Sequence, residues 1–257
     1  MPAPALVDRG TAPPDPAGTS QGAGQQFRPI PQARHWLLWG LLLSAAVLVL
    51  GLTVQLAPGG NAAELGVDQN LSLHHAALLT GVAMILNVVF GPVAGAALVA
   101  VLALYLWLVR RSIGKAVAFG LVAGSGWVAS EVFKLIIARQ RPDPALLFDP
   151  LSPETGSNSF PSGHVSFAVA LGFAVYFLAC GTRWAKPAAA AAVLLALLVA
   201  WSRLYIGVHY PTDVAASFLA ASAAVLLLGG LWNRFAPDAL NRLTSAAASR
   251  SARSPQT

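Results

Sequence analysis

The sequence predicts an all-α fold, a polytopic bundle of transmembrane helices. Three observations lead there. Hydrophobic residues make up 56% of the chain, charged residues only 10%, and the apolar residues lie in long runs separated by short charged clusters. A soluble protein carries roughly 25% charged residues, and a bilayer-crossing helix needs about 20 consecutive apolar ones. The net charge of +6 does not point to nucleic acid. Its cations sit between apolar runs, where headgroup contact and topology signals explain them.

Residues 1–35 are rich in proline and glycine and poor in large apolar side chains. They cannot bury enough surface to offset ordering entropy, so a disordered segment is expected. The run from Trp36 to Ala57 is too long for a signal-peptide core and reads as a retained first span. Five more spans are expected near 88–109, 116–138, 164–181, 187–206 and 211–232. Residues 62–86 hold Glu64 and Asp68 and turn apolar only near Ala76. They read as one amphipathic helix lying in the interface between spans one and two. The alternative is a seventh span through 75–90 that turns at Gly91-Pro92 directly into the next. Residues 233–257 read as a basic tail, so the expected domain is 36–232.

Six spans sort the cations. Arg9, Arg28, Arg34, Arg110, Arg111, Lys115, Arg183, Lys186, Arg234, Arg242, Arg250 and Arg253 fall on one side, and Lys134, Arg139, Arg141 and Arg203 on the other. The richer side should be cytoplasmic, with both termini inside. A seventh span would spoil this asymmetry. Trp36, Trp39, Trp107, Trp184, Trp201 and Trp232 lie near span ends, as interfacial anchors do.

The outward cations carry the chemistry. Lys134 and Arg141 are seven residues apart, nearly two helical turns, which would put them on one face about 10 Å apart; Pro142 should end the helix near Arg141. Snorkelling to the interface is the bland account of Lys134. In Pro161-Ser162-Gly163-His164, Ser162 suits a helix N-cap and Gly163 admits a ligand close to the backbone. Such a helix start attracts phosphate oxygens, with His164 in its first turn; a capped helix with an incidental histidine is the bland account. Pro211 suits the first turn of the last span, with His209 just before and Asp213 within it. A carboxylate there can fix the imidazole tautomer and leave the other nitrogen as a nucleophile, although an acid also suits a helix start for its dipole. Taken together, three cations, two histidines and a carboxylate at one membrane face are what phosphoryl transfer requires.

Lys134-Leu-Ile-Ile-Ala-Arg-Gln-Arg141-Pro142, Pro161-Ser-Gly-His164 and Ser202-Arg203-Leu-Tyr-Ile-Gly-Val-His209-Tyr-Pro-Thr-Asp213 resemble the three signature motifs of the type 2 phosphatidic acid phosphatase superfamily. The motifs lie in 134–213, and the hydrophobic layout extends the resemblance over about 36–232. The resemblance implies that His209 attacks phosphorus to form a phosphohistidine, that Asp213 orients it, and that His164 protonates the leaving oxygen. It implies that Lys134, Arg141, Arg203, Ser162 and the Gly163 amide hold the phosphate. It also implies an integral membrane lipid phosphatase of a bacterial plasma membrane with an extracytoplasmic site and no metal or other cofactor. The outward Asp and Glu do not cluster as a metal site would need. The expected substrate is a lipid phosphate or diphosphate: phosphatidic acid, phosphatidylglycerol phosphate or undecaprenyl diphosphate. A phosphotransferase with the same site, or a lipid-phosphate transporter with a degenerate one, are the alternatives.

Other features have plainer readings. Gly124-Ser-Gly126-Trp-Val-Ala129 imitates a dinucleotide fingerprint but sits inside a span with no preceding strand. Gly91/Gly95 and Gly120/Gly124 have the spacing of close helix packing. Glu131 should pair with Lys134 one turn on. His74 and His75 should point apart, and Cys180 should be a packing residue.

Overall fold

A computed structural model describes residues 30–251, with side chains described through Ala236. The described residues form eight helices: α1 (Trp36–Leu56), α2 (Gly60–Leu73), α3 (Ala77–Val89), α4 (Pro92–Leu108), α5 (Ile113–Ile137), α6 (Gly163–Ala179), α7 (Ala185–Ile206) and α8 (Pro211–Ser251). The all-α expectation holds. By length and apolar composition, α1, α5, α7 and the Pro211–Ala236 part of α8 can each cross a membrane, four in all. A fifth arises if α3 and α4, bent by 66°, count as one broken span. α6 has 17 residues and is shorter than these. The count is therefore four or five, short of the expected six.

α6 is the centre. It packs against α5, α7 and α8, and most of its residues from Gly163 to Ala174 are buried. Small residues make this possible. A Cβ on Gly126 of α5 would lie 2.2 Å from the Ser166 carbonyl of α6, and one on Gly172 would lie 2.9 Å from Ala192 of α7. Gly95 of α4 similarly admits Trp127 and Phe167, whose rings stack at 3.9 Å. Gly95 thus packs as its spacing suggests. Gly120 and Gly124 do not, because nothing lies within 4 Å of their Cβ positions; the close approach falls at Gly126. α1 packs on α8 and exposes Leu37, Leu38, Leu41, Leu42 and Val49 on its outer surface, as a lipid-facing helix does.

Several boundaries depart from the sequence reading. The expected single helix over 62–86 is broken at His74–Ala76 into α2 and α3. His75 is drawn sideways there, with Nδ1 2.8 Å from Asp149 Oδ2 and Nε2 2.9 Å from the Tyr205 carbonyl. His74 bonds the Asn70 carbonyl instead, so the two imidazoles do diverge. α3 turns at Gly91-Pro92 as the seven-span alternative required, yet its 13 residues rise only about 20 Å, too little to cross a bilayer alone. Ile30, placed in the expected disordered segment, is buried, and its N–H donates to Asn233 Oδ1 at 2.9 Å. Residues 1–29 lie outside the described residues. α8 continues through the expected tail to Ser251. Cys180 is exposed, just beyond α6, so it does no packing in the core.

Candidate active site

The C-terminal ends of α5 and α7 and the N-terminal ends of α6 and α8 meet at one end of the bundle. That arrangement brings the three motifs together. His209, in the short turn between α7 and α8, is 1% exposed. Its Nε2 is 3.4 Å from Arg141 Nη1. A guanidinium only donates, so Nε2 presents its lone pair and the proton belongs on Nδ1. Burial, then the charges of Arg141, Arg203 and Lys134, push the His209 imidazole well below its ordinary range, against the Ser159 carbonyl, which favours protonation. A neutral, oriented imidazole results, which is the reactive form.

Arg141 and Arg203 are bridged by one carboxylate. Glu154 Oε2 lies 2.8 Å from Arg141 Nη1, and its Oε1 accepts from Arg203 Nη2 at 3.0 Å. Arg203 is fully buried, and its other arm donates to Asn87 Oδ1 on α3. Asn87 also holds His164, whose Nε2 lies 3.0 Å from the Asn87 carbonyl and so donates to it. Lys134 Nζ pairs with Glu131 at 2.7 Å, as expected. Lys134 also approaches Gly163, whose Cβ position is 3.4 Å from Nζ, so a side chain there would crowd the ammonium. His164 lies in the field of Arg203, His209 and Arg141. Lys134, Arg141, His164, Arg203 and His209 therefore share one site, with Gly163 at its edge.

Three details differ from the sequence expectation. α5 ends at Ile137, where Ala138 adopts a left-handed conformation (φ 49°). Arg141 is thus not on the helical face of Lys134; it arrives from the chain beyond the helix end, held by Asn158 Oδ1 at 2.8 Å and the Val208 carbonyl at 3.0 Å. Ser162 occupies the N-cap position of α6 but makes no side-chain cap bond. Its buried Oγ has no partner among the described residues, while its N–H donates to the Asp213 carbonyl at 3.3 Å. Asp213 Oδ2 lies 3.6 Å from His209 Nδ1, beyond hydrogen-bond reach. That oxygen instead accepts from Ser159 Oγ and, at 2.9 Å, from the Tyr210 N–H.

Behind Asp213 lies a second cluster. Arg139, fully buried, donates through Nη1 to Asp213 Oδ1 and to Thr212 Oγ1, both at 2.6 Å. Nη2 donates to Glu64 Oε1 at 2.9 Å and Nε to Asn61 Oδ1 at 3.0 Å. The guanidinium also sits 4.2 Å over the Tyr210 ring. Glu64 Oε2 accepts the Thr212 N–H at 2.8 Å. One turn along α2, Asp68 is buried with neither oxygen partnered among the described residues. Burial, then the charges of Asp213 and Glu64, push Asp68 up to about 8.

A family model of the PAP2 superfamily matches residues 114–238. The chain belongs to the PAP2 superfamily. Relatives include undecaprenyl-diphosphatase BcrC of Bacillus subtilis, 31% identical over 116 residues, which are 45% of this chain and 55% of the relative. The undecaprenyl-diphosphatase of Sulfolobus acidocaldarius is 37% identical over 99 residues, covering 37% of this chain and 44% of the relative. Phosphatidylglycerophosphatase B of B. subtilis is 39% identical over 103 residues, 38% of this chain and 48% of the relative. The chain spans about half the length of the curated relatives it matches. A solved structure, the first transmembrane PAP2 type phosphatidylglycerolphosphate phosphatase from B. subtilis, superposes with a TM-score of 0.61 at 26% identity, covering 78% of this chain and 95% of that one. This PAP2 protein is accordingly an integral membrane protein. Aquifex aeolicus LpxE shares the fold at a TM-score of 0.52 and 22% identity, over 67% of this chain and 96% of that one.

In this PAP2 chain the sequence reading passed over Asn87, Glu154, Ser159, Arg139 and Glu64. Asn87 had a faint signal as a lone amide in an apolar stretch. Arg139 was counted among the outward cations without a task. Glu154, Ser159 and Glu64 carried none, because loop and interfacial residues of these types usually meet water.

Proposed function

We propose that this protein is a membrane lipid phosphatase that cleaves a terminal phosphate or diphosphate through a phosphohistidine on His209. The observation that carries this reading is the His209 Nε2 lone pair, aimed at the gap between Arg141 and Arg203 that a carboxylate now occupies. A phosphoryl group in that gap would have its equatorial oxygens on Arg141, Arg203, Lys134, Ser162 Oγ and the Gly163 amide. The P–N bond to Nε2 forms as the P–O bond to the lipid breaks. Asp213, at 3.6 Å, closes on the Nδ1 proton as the imidazole gains charge. The negative substrate favours a doubly protonated His164, which then releases one proton to the departing oxygen. Water attacks phosphorus next, with His164 as base, and returns His209. The cations supply the charge stabilisation in this scheme.

Six spans remain our reading of the topology: α1, α4, α5, α6, α7 and α8, with α2 and α3 in the interface. The 17 residues of α4 and of α6 each rise about 25 Å, close to the hydrocarbon thickness of roughly 30 Å. The cation asymmetry then puts both termini in the cytoplasm and the site outside. Relatives named as undecaprenyl-diphosphatases and as a phosphatidylglycerophosphatase support prenyl diphosphate and phosphatidylglycerol phosphate as the substrates to try first, with phosphatidic acid beside them. Protein purified in detergent should release phosphate from at least one of these lipids with chelator present. His209→Ala should retain its fold, judged by thermal unfolding, and lose turnover by at least about 10³-fold. A variant as active as the parent would overturn the nucleophile assignment.

A further inference from the structure

The geometry points to Glu64, on the interfacial helix α2, as a positioning residue that leaves a net negative charge beside Asp213 and His209 by taking up half of the Arg139 guanidinium. Resting on the reading of His209 as nucleophile, this deepens it. Arg139 donates to Asp213 Oδ1 at 2.6 Å and to Glu64 Oε1 at 2.9 Å from its two arms. Both members of the Arg139–Asp213 pair have side-chain exposures of 0%. A guanidinium bound by Asp213 alone would cancel that carboxylate. With Glu64 present, the cluster holds one cation and two carboxylates and retains an excess negative charge. Asp68 does not enlarge that excess, since burial and its neighbours keep it protonated at neutral pH.

The excess lies on one side of the imidazole only. Facing His209 are Lys134 from α5, Arg141 from the chain beyond α5, His164 from α6, Arg203 from α7 and Asp213 from α8, with Glu154 reaching it through Arg141 and Arg203. The cations draw substrate; they also make the imidazole a weaker base. Negative charge at Asp213 offsets that effect and stabilises the positive charge that His209 gains as it bonds to phosphorus. Glu64 also fixes the start of α8, accepting the Thr212 N–H and the Thr212 hydroxyl, each at 2.8 Å. An α2 residue, outside the three motifs, therefore acts on the nucleophile through Arg139 and Asp213.

Glu64→Gln tests this, because the amide keeps the shape and one acceptor but removes the charge. It should lower kcat about tenfold with KM changed less than about twofold, and move the acid limb of the kcat/KM profile to lower pH. Calorimetry on the full chain in detergent gives a readout free of turnover. Orthovanadate, which resembles the phosphoryl transition state and bonds the imidazole, should bind about tenfold more weakly to E64Q, while inorganic phosphate binds equally or more tightly. Opposite signs for the two anions are not expected from a loosened scaffold. Glu64→Asp keeps the charge and should retain the parental acid limb even at reduced stability. Parental kcat, vanadate affinity and acid limb in E64Q, or a displaced limb in E64D, would overturn the proposal. If the parent turns over no lipid phosphate, the phosphatase reading fails, and the vanadate–phosphate contrast still decides the role of Glu64.

Discussion

On one side of His209 the cations Lys134, Arg141 and Arg203 are paired with acids at the protein surface: Glu131 is 65% exposed and Glu154 is 34% exposed. On the other side, Arg139 and Asp213 are both at 0%. The first kind of pair is exchangeable. An exposed carboxylate can be displaced by an incoming anion that takes over its cation, so Glu131 and Glu154 can yield to a phosphate. The second kind is permanent, since either partner without the other would be a charge stranded away from water. The site thus joins an exposed anion lining to a fixed frame behind the imidazole.

Breaking the fixed frame should have the largest effect. Arg139→Leu removes the cation and leaves Asp213 buried without it, which should cost about 3–5 kcal/mol, measurable as loss of thermal or denaturant stability in detergent. A loss below about 1 kcal/mol would mean that water reaches Asp213 and that the two sides do not differ. Next is Asp68, beside the same frame. Its folded value of about 8 exceeds the ordinary 3.8, so the folded protein holds a proton that the unfolded chain gives up. Its contribution is complete below pH 3.8 and is lost as pH rises to about 8. Asp68→Asn cannot ionise, so its advantage over the parent should grow steadily across that window. Unfolding curves at pH 5 and pH 8.5 would show a constant gap if Asp68 were ionised throughout.

The exchangeable side should respond chiefly in anion affinity. Glu154→Gln removes the carboxylate now held by Arg141 and Arg203. Inorganic phosphate, which would then re-pair the buried Arg203, should bind about tenfold more tightly, about 1.4 kcal/mol. Weaker phosphate binding would show that Glu154 positions the arginines and does not compete with the anion. Glu131→Gln should have the smallest effect. It frees Lys134 from an i,i+3 pair worth about 0.2–0.5 kcal/mol, so KM for the lipid phosphate should fall by no more than about twofold.

The exchangeable side was the more legible of the two from sequence. Lys134, Arg141 and Arg203 stand out because a cation near a bilayer needs a reason, and Pro161–His164 and His209–Asp213 carry local turn and helix-start chemistry. Glu154 and Asn87 were hidden because loops and interfacial stretches carry no strict periodicity. The frame was hidden for another reason. Arg139 and Glu64 are distant in sequence, and each alone resembles an ordinary surface charge. Only the approach of Glu64 to Thr212 at the start of α8 brings the two together, with Arg139 fully and Glu64 largely covered. The same holds for the break at His74–Ala76, which follows from the anchors that His75 finds on Asp149 and Tyr205.

The sequence by itself determined the all-α membrane class of the molecule and the residue types gathered at one end of the bundle. These follow from composition, run length and local motif, which are properties of neighbours along the chain. Tertiary structure decided which carboxylate faces which cation, that Arg141 comes from beyond a helix end, and that Asp213 is held by Arg139, Ser159 and the Tyr210 amide while His209 stays 3.6 Å away. Those outcomes depend on burial and on distances between remote segments. An ion pair gains its strength from the water that packing excludes, and no single stretch of chain specifies that exclusion.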